Sequence, residues 1–135
     1  MASQDDGARH LDPDVRRVLA AYRAFERGDI DAAVRDLHPR VVWTEPEEFP
    51  GGGRRVGVAQ VAAYLRASRN MWGELESRPT VTRRGAEVRA VHRVRGRLVD
   101  GTPHEALAVD VFRFVDGQVV EMTAYASPED VPPEA

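Results

Sequence analysis

The sequence predicts an α+β fold in which helices come first and an antiparallel sheet follows. Apolar residues recur at helical spacing as far as about residue 72, and beyond that point their period changes to two. Asp-Gly pairs at 100–101 and 116–117 mark tight turns between the later strands. At 135 residues and without an internal repeat, the chain has the size of one domain. We expect that domain over 12–127, with a flexible leader over 1–11 and a flexible tail over 128–135.

Three helices are predicted in the first half of the chain. Asp12 can cap the first and Pro13 suits its opening turn, and the apolar face then carries Val15, Val18, Leu19, Tyr22 and Phe25. Gly28-Asp29 ends this helix and starts a short second one, with apolar positions at Ile30, Ala33, Val34 and Leu37. Gly57 opens the third, whose inward positions are Val58, Val61, Leu65 and Ser68.

Five strands are predicted from alternating or continuous apolar runs, over 41–45, 77–82, 86–98, 104–115 and 118–126. The glycine-rich stretch 50–53 separates the first strand from the third helix and is predicted to be a flexible loop. Because the last four strands follow one another through short turns, we expect them to pair as an antiparallel meander.

The composition argues against several classes of function. A formal net charge of −3 disfavours general affinity for nucleic acid or acidic membranes, so we expect neither as a partner. Cysteine and lysine are both absent, which excludes disulfides, thiolate chemistry and a lysine Schiff base. No two histidines have ligand spacing on one element, and no apolar run approaches the roughly 18 residues of a membrane span. We therefore expect no metal, no cofactor and a cytoplasmic location.

Two of the strands each place one carboxylate among apolar residues. Glu45 ends the first strand on the same face as Trp43, and Asp110 lies in the middle of 104–115 with Ala108 on its own face. A buried carboxylate is costly unless it is paired, hydrogen-bonded or protonated, so two in one small domain indicate a cavity suited to proton transfer. Small residues such as Ala108 would leave room there for a ligand. The alternative is structural: Glu45 ends its strand beside solvated acids, and Asp110 binds a helix end or an arginine.

The neighbour of Asp110 depends on the length of one turn. The strand 86–98 has an apolar face with His92 and an opposite face with Arg93 and Arg95. A two-residue turn at Asp100-Gly101 would put the arginines beside Asp110, whereas a three-residue loop would put His92 there, because a one-residue slip reverses the faces. Burial favours His92 inward, which predicts an acid–base pair with Asp110. The outer face would then hold the arginines and three apolar residues, Leu107, Val109 and Val111. Such a face favours a homodimer.

The order and spacing of several motifs resemble the nuclear-transport-factor-2-like superfamily, the cone-shaped fold of ketosteroid isomerases and SnoaL-like polyketide cyclases. The motifs are Tyr22 through Gly28-Asp29-Ile30-Asp31, Val42 through Pro46, Pro50-Gly51-Gly52-Gly53 with Gly57, Asp110-Val111-Phe112-Arg113-Phe114 and Asp116-Gly117-Gln118-Val119-Val120. The resemblance covers about residues 12 to 130 and implies three N-terminal helices packed on a curved, mainly antiparallel sheet. This fold hosts isomerases, cyclases, dehydratases and binding proteins, so it does not by itself identify a reaction.

The resemblance also implies roles for the two acids. Glu45-Pro46 falls where ketosteroid isomerases carry an acidic residue before proline, the base that moves the proton. Asp110 begins a match, with one change, to their Asp-His-Phe-Arg-Phe motif, whose Asp stays protonated and donates to the enolate oxygen. The tyrosine of those enzymes does not line up, because Tyr22 falls one residue late, about 100° round the helix. That offset argues against steroid isomerisation itself.

We therefore predict a cofactor-free acid–base enzyme of isomerase, cyclase or dehydratase type. Its substrate would be a small apolar carbonyl compound such as a polyketide, steroid or terpenoid intermediate. Glu45 would act as base, and Asp110 and His92 as donors. The residues expected to contact the substrate are Tyr22, Trp43, Tyr64, Trp72, Ala108, Phe112, Met122 and Ala124. The alternative is a non-catalytic small-molecule-binding or dimerisation module with the same cavity.

Overall fold

The computed structural model describes residues 12–133, which form three helices packed on one six-stranded sheet. The helices are α1 (Pro13–Glu26), α2 (Ile30–Ala33) and α3 (Val58–Asn70), and a short 3₁₀ helix lies at Pro128–Asp130. The strands are β1 (Leu37–Glu45), β2 (Gly53–Val56), β3 (Trp72–Arg84), β4 (Glu87–Leu98), β5 (Pro103–Val115) and β6 (Gln118–Tyr125). The predicted α+β class is confirmed.

The strand order is β2-β1-β6-β5-β4-β3, and the sheet is not closed. The strands β3 to β6 form the expected antiparallel meander, whereas β1 pairs in parallel with β6. The register pairs Trp43 with Met122 and Met122 with Phe112, so these three side chains share one face. Since alternate residues of a strand lie on the same face, Glu45 and Asp110 point to that side as well. The sheet alone therefore directs both acids into the same space.

The helices cover this face of the sheet and complete the core. Asp12 caps α1 as predicted, since its Oδ1 accepts a hydrogen bond from the Asp14 backbone N–H at 2.8 Å, with Pro13 in the first turn. The largest fully buried side chains come from α1, α3 and three strands: Val18, Val61, Val41, Val88 and Met122. Burial of each stabilises the fold by roughly 1.5–3 kcal/mol, so the helices are held firmly over the acids.

The connection between β4 and β5 decides which face of β4 lies beside Asp110. A backbone hydrogen bond of 2.8 Å from Leu98 N–H to the carbonyl of Thr102 closes a three-residue loop over 99–101. The register then pairs Ala90 with Asp110 and His92 with Ala108. His92 is therefore on the inner face, where burial favoured it. The arginines lie on the outer face together with Leu107, Val109 and Val111.

Three element boundaries differ from the predicted ones. Leu37 was assigned to the second helix by its spacing but instead begins β1 and pairs with Val119. An apolar residue that follows a short helix fits the start of a buried strand as well as another helical turn. The loop over 50–53 ends in an extra strand, β2, whose Gly-Arg-Arg-Val sequence has no apolar alternation to reveal it. The strand predicted over 77–82 begins at Trp72, since pairing with β4 continues through charged residues.

The two ends of the chain differ in what the structure describes. The predicted leader over 1–11 lies outside the described residues. In the predicted tail, residues 128–133 are described, and Arg89 Nη2 donates to the carbonyl of Pro132 at 3.1 Å on the outer side of the sheet. Within 12–133, none of the helices combines the length and the hydropathy that a bilayer span requires.

Candidate active site

A cavity of about 430 Å³ lies between the helices and the inner face of the sheet. Its central polar residues come from four elements: Tyr22 from α1, Glu45 from β1, His92 from β4 and Asp110 from β5. Apolar side chains make up most of the remaining wall, which is the usual composition of a small-molecule site. At one end the lining includes exposed residues, among them Met71, which is 42% exposed, so the cavity opens to solvent there.

Glu45 lies at the end of β1 with only 9% of its surface exposed. Trp43 Nε1, from the same strand face, donates a hydrogen bond to Glu45 Oε2 at 2.7 Å. Burial raises the pKa of Glu45 to about 7, and the charge of Asp110 contributes to the rise. Hydrogen bonds from Trp43 and Tyr64, and the charge of Arg55, act in the opposite direction. This carboxyl therefore changes its protonation near neutral pH.

Asp110 is as buried as Glu45, and its Oδ2 accepts a hydrogen bond from the hydroxyl of Tyr22. The one-residue offset of Tyr22 along the helix does not prevent this contact, because a count along the helix does not reveal how α1 is rotated on the sheet. Burial raises the pKa of Asp110 to about 6, although the bond from Tyr22 lowers it. Burial, with the nearby acids, also holds the pKa of Tyr22 well above its ordinary value, so its hydroxyl remains a donor.

The two acids form one electrostatic unit. Their strands are separated by β6 alone, and the charge of Asp110 raises the pKa of Glu45. Like charges in a buried site ionise in succession, so near neutral pH the pair holds one proton. Burial raises the pKa of both acids toward neutrality, to about 6 for Asp110 and about 7 for Glu45, and because the two titrate as a pair the shared proton can lie on either carboxyl. One carboxyl can thus accept a proton while the other donates one.

His92 lines the cavity but does not form the predicted acid–base pair with Asp110. Its Nε2 lies 2.6 Å from Ser77 Oγ, and its ring centre is 4.3 Å from that of Tyr22. Tyr22 is the hydrogen-bond partner of Asp110 instead. Burial lowers the pKa of His92 to about 4, so the imidazole is neutral at physiological pH. It can hydrogen-bond a ligand there but carries no charge.

Most of the residues expected to contact a substrate do line the cavity: Tyr22, Trp43, Tyr64, Trp72, Ala108 and Phe112. Met122 and Ala124 are not part of the lining. Met122 is 0% exposed, because the rings of its strand neighbours Trp43 and Phe112 meet edge to face over it, with centres 6.3 Å apart. Ala124 is buried beside Asp110 in the packed core.

Other lining residues were not among those predicted to contact a substrate: Ala21, Phe25, Leu65, Ser68, Met71, Leu98 and His104. Phe25 follows Tyr22 by three positions on α1, so helical spacing was a usable signal for it. No such local signal existed for His104, because only the pairing of strands brings its ring to 5.5 Å from that of Trp72. Among residues 12–133, no cluster of three or more histidine and acidic side chains is arranged to hold a metal ion.

Comparison with protein families identifies the domain. Residues 18–122, which are 105 of the 135 residues, match the family described as the SnoaL-like domain. No curated protein matches the chain.

Solved structures resemble the whole domain. An NTF2-like protein of unknown function from Burkholderia pseudomallei is 25% identical with a TM-score of 0.76, and the match covers 87% of this chain and 92% of that one. A candidate polyketide cyclase from Xanthomonas campestris is also 25% identical, with a TM-score of 0.69 over 87% and 93%. TerC, co-crystallised with polyporic acid, is 23% identical with a TM-score of 0.73 over 86% and 92%. The predicted cone-shaped fold is confirmed.

Proposed function

This chain belongs to the SnoaL-like domain family, and we propose that it is a cofactor-free acid–base enzyme acting on a small, apolar, carbonyl-containing molecule. The observation that carries the proposal is the pair of buried carboxyls, Glu45 and Asp110, in one cavity. Burial raises the pKa values of both toward neutrality. Groups whose pKa lies near the working pH are the most efficient general acids and bases.

Glu45 is the base in this proposal. Its ionised carboxylate removes a proton from a carbon next to the substrate carbonyl and later returns it to the product. The hydrogen bond from Trp43 Nε1 orients the carboxylate without taking its charge away. Burial keeps water from competing for the proton, which suits a residue that must accept and return it within one turnover.

Tyr22 and Asp110 are the donors. When the proton leaves carbon, negative charge develops on the carbonyl oxygen, and fixed donors in a dry site stabilise that charge strongly. Asp110 must then hold the proton that the pair retains near neutral pH. A carbonyl oxygen placed beside Asp110 needs a donor, so substrate binding favours the protonated form of this acid over the ionised form.

The wall of the cavity supports an apolar, ring-containing substrate. Trp43, Trp72 and Phe112 offer aromatic surfaces, and Ala108 leaves space beside them. Polyketide, steroid and terpenoid intermediates have this character. Solved structures that resemble the chain include candidate polyketide cyclases and a candidate isomerase, which is consistent with carbonyl chemistry. Isomerisation, aldol cyclisation and dehydration all begin with the proton removal assigned to Glu45.

Exchange of hydrogen for deuterium tests the proposal without knowledge of the cognate reaction. The protein is incubated in D2O with a panel of cyclic ketones, and loss of the α-proton signal is followed by NMR. We expect Glu45→Gln to slow exchange about 10²–10⁴-fold, the usual contribution of a general base. Asp110→Asn should slow it about 10²–10³-fold, the usual contribution of one oxyanion donor. Glu48→Gln, an exposed acid in the following loop, is the matched control and should exchange as the wild type does.

The same experiment separates the enzyme from a binding module of the same fold. Ketones that raise the melting temperature but exchange no faster than in buffer would favour the binding module. Exchange at the wild-type rate in both acid variants, with their circular dichroism unchanged, would remove Glu45 and Asp110 from the mechanism.

A further inference from the structure

We propose that Arg55 is a positioning residue of the acid–base site: its guanidinium holds the aromatic donors around Glu45 and keeps a positive charge beside that carboxylate. This inference rests on the proposed function, since it concerns the proposed base. Four features of the structure support it: the strand pairing, a stacked ring, a covering loop and a charge without an acidic partner.

The pairing of β1 with β2 places Arg55 on the cavity side of the sheet. Arg55 is opposite Trp43, and Gly53 is opposite Glu45. Side chains that face each other across antiparallel strands lie on the same side, with Cβ atoms about 4.5–5.5 Å apart. Arg55 therefore extends next to Trp43, the indole donor of Glu45. Arg54 points to the opposite face and is exposed.

The guanidinium also supports the second donor. Arg55 Cζ lies 4.2 Å from the centre of the Tyr64 ring, which is the geometry of a cation–π contact. Tyr64 comes from α3, and its hydroxyl contributes a hydrogen bond that lowers the pKa of Glu45. A Cβ atom at Gly51 would lie 3.4 Å from Tyr64 Cε1 and 3.5 Å from Arg55 Nη2, so the loop backbone packs on both side chains. Arg55 is thus fixed between the loop, Tyr64 and Trp43.

The charge of Arg55 is not neutralised by a neighbouring acid. Among residues 12–133 it forms no ion pair within 4.0 Å, and its buried Nη1 has no hydrogen-bond partner there. An uncompensated cation stabilises ionised carboxylates in its surroundings, and the positive charge of Arg55 does lower the pKa of Glu45. The effect opposes burial and favours the ionised carboxylate.

The other groups that face Glu45 make this charge important. Asp110 from β5 raises the pKa of Glu45, Tyr64 from α3 lowers it by a hydrogen bond, and Tyr22 from α1 is itself perturbed by Glu45. Arg55 from β2 supplies the positive charge in this set. It therefore biases the shared proton away from Glu45 and toward Asp110, which is the distribution that a base at Glu45 requires.

The test is an NMR titration of the Glu45 carboxyl carbon in the full chain, labelled with ¹³C at glutamate and without added ligand. Arg55→Met removes the charge and keeps much of the side-chain length, so the Glu45 midpoint should move upward from about 7. Arg55→Lys retains the charge and should shift the midpoint less. Arg54→Met, on the opposite face, is the matched control and should titrate as the wild type does. In the ketone assay, the acidic limb of the pH–rate profile should move upward in Arg55→Met as well.

An unchanged Glu45 midpoint in Arg55→Met, or an equal shift in Arg54→Met, would overturn the proposal. If Arg55→Met does not fold, Arg55→Lys decides, because lysine lacks the planar group that stacks on Tyr64. Tyr64 ring signals that stay in place in that variant would overturn the positioning role. A wild-type protein that catalyses no exchange yet shows the Arg55-dependent titration would contradict the proposed function alone. Catalysis without that dependence would contradict the role of Arg55 alone.

Discussion

Because burying a charge costs free energy, the pH dependence of the protein's stability tests the environment of Glu45 without a substrate. Its pKa rises from 4.5 to about 7 in the folded protein, chiefly because of burial. Below pH 4.5 the carboxyl is neutral in both the folded and the unfolded chain. As the pH rises from 4.5 to about 7, the unfolded chain releases this proton first, so the free energy of unfolding falls over that range.

The size of the effect follows from that rise. A change from 4.5 to about 7, at about 1.4 kcal/mol for each pH unit, corresponds to about 3 kcal/mol of unfolding free energy lost by pH 8. Glu45→Gln removes the charge and keeps an oxygen that can accept from Trp43 Nε1. We therefore expect the variant to match the wild type near pH 4.5 and to be more stable by about 3 kcal/mol near pH 8.

Urea denaturation at about pH 4.5, 6 and 8 measures this difference directly. Titration of the acids that are remote from Glu45 is common to both proteins and cancels in the comparison, whereas Asp110 titrates together with Glu45 and belongs to the measured difference. Glu48→Gln serves again as the control, because its side chain is exposed and its substitution should leave the pH dependence unaltered. The reasoning would be refuted if the unfolding free energies of the wild type and Glu45→Gln differed by the same amount at every pH from about 4.5 to 8. In that case, ionisation of Glu45 would not destabilise the folded protein.

Two further predictions concern the inner and outer faces of the sheet. Ser77→Ala removes the partner of His92 Nε2, so the ¹⁵N shifts of His92 should report a changed tautomer balance in an otherwise native spectrum; identical ¹⁵N shifts would argue against the 2.6 Å hydrogen bond. We also propose a homodimer through the outer face, where Val111 is half-buried in the isolated chain. Val111→Glu should then sediment as a monomer, and a monomeric wild type would disprove the dimer.

Local signals were sufficient wherever a few adjacent residues determine the structure. Asp12-Pro13 begins α1, and Asp116-Gly117 forms the two-residue turn between β5 and β6. That turn requires positive φ at both residues, and they adopt 51° and 79°. Glu45 and Asp110 were recognisable for a related reason, because a single acid in an apolar strand is conspicuous without knowledge of its neighbours.

The turn between β4 and β5 shows where local signals end. Asp100-Gly101 has the same sequence as Asp116-Gly117, yet it forms part of a three-residue loop. The difference of one residue sets the face on which His92 lies, and packing against the helices settles it. The contacts of Tyr22 and Arg55 could not be predicted from local signals either, since their partners come from other elements. The rotation of α1 on the sheet and the pairing of β2 with β1 were not encoded in any short motif.

The position of β6 between β1 and β5 also bears on how the protein is made. A growing chain contains both carboxyls once residue 110 has been synthesised, but the strand that aligns them spans Gln118–Tyr125. Its parallel pairing with β1 joins segments about eighty positions apart, a contact that forms slowly because a long stretch of backbone must first be closed. The cavity is therefore completed late in biogenesis, and Glu45 and Asp110 are not aligned in a nascent chain until β6 is inserted.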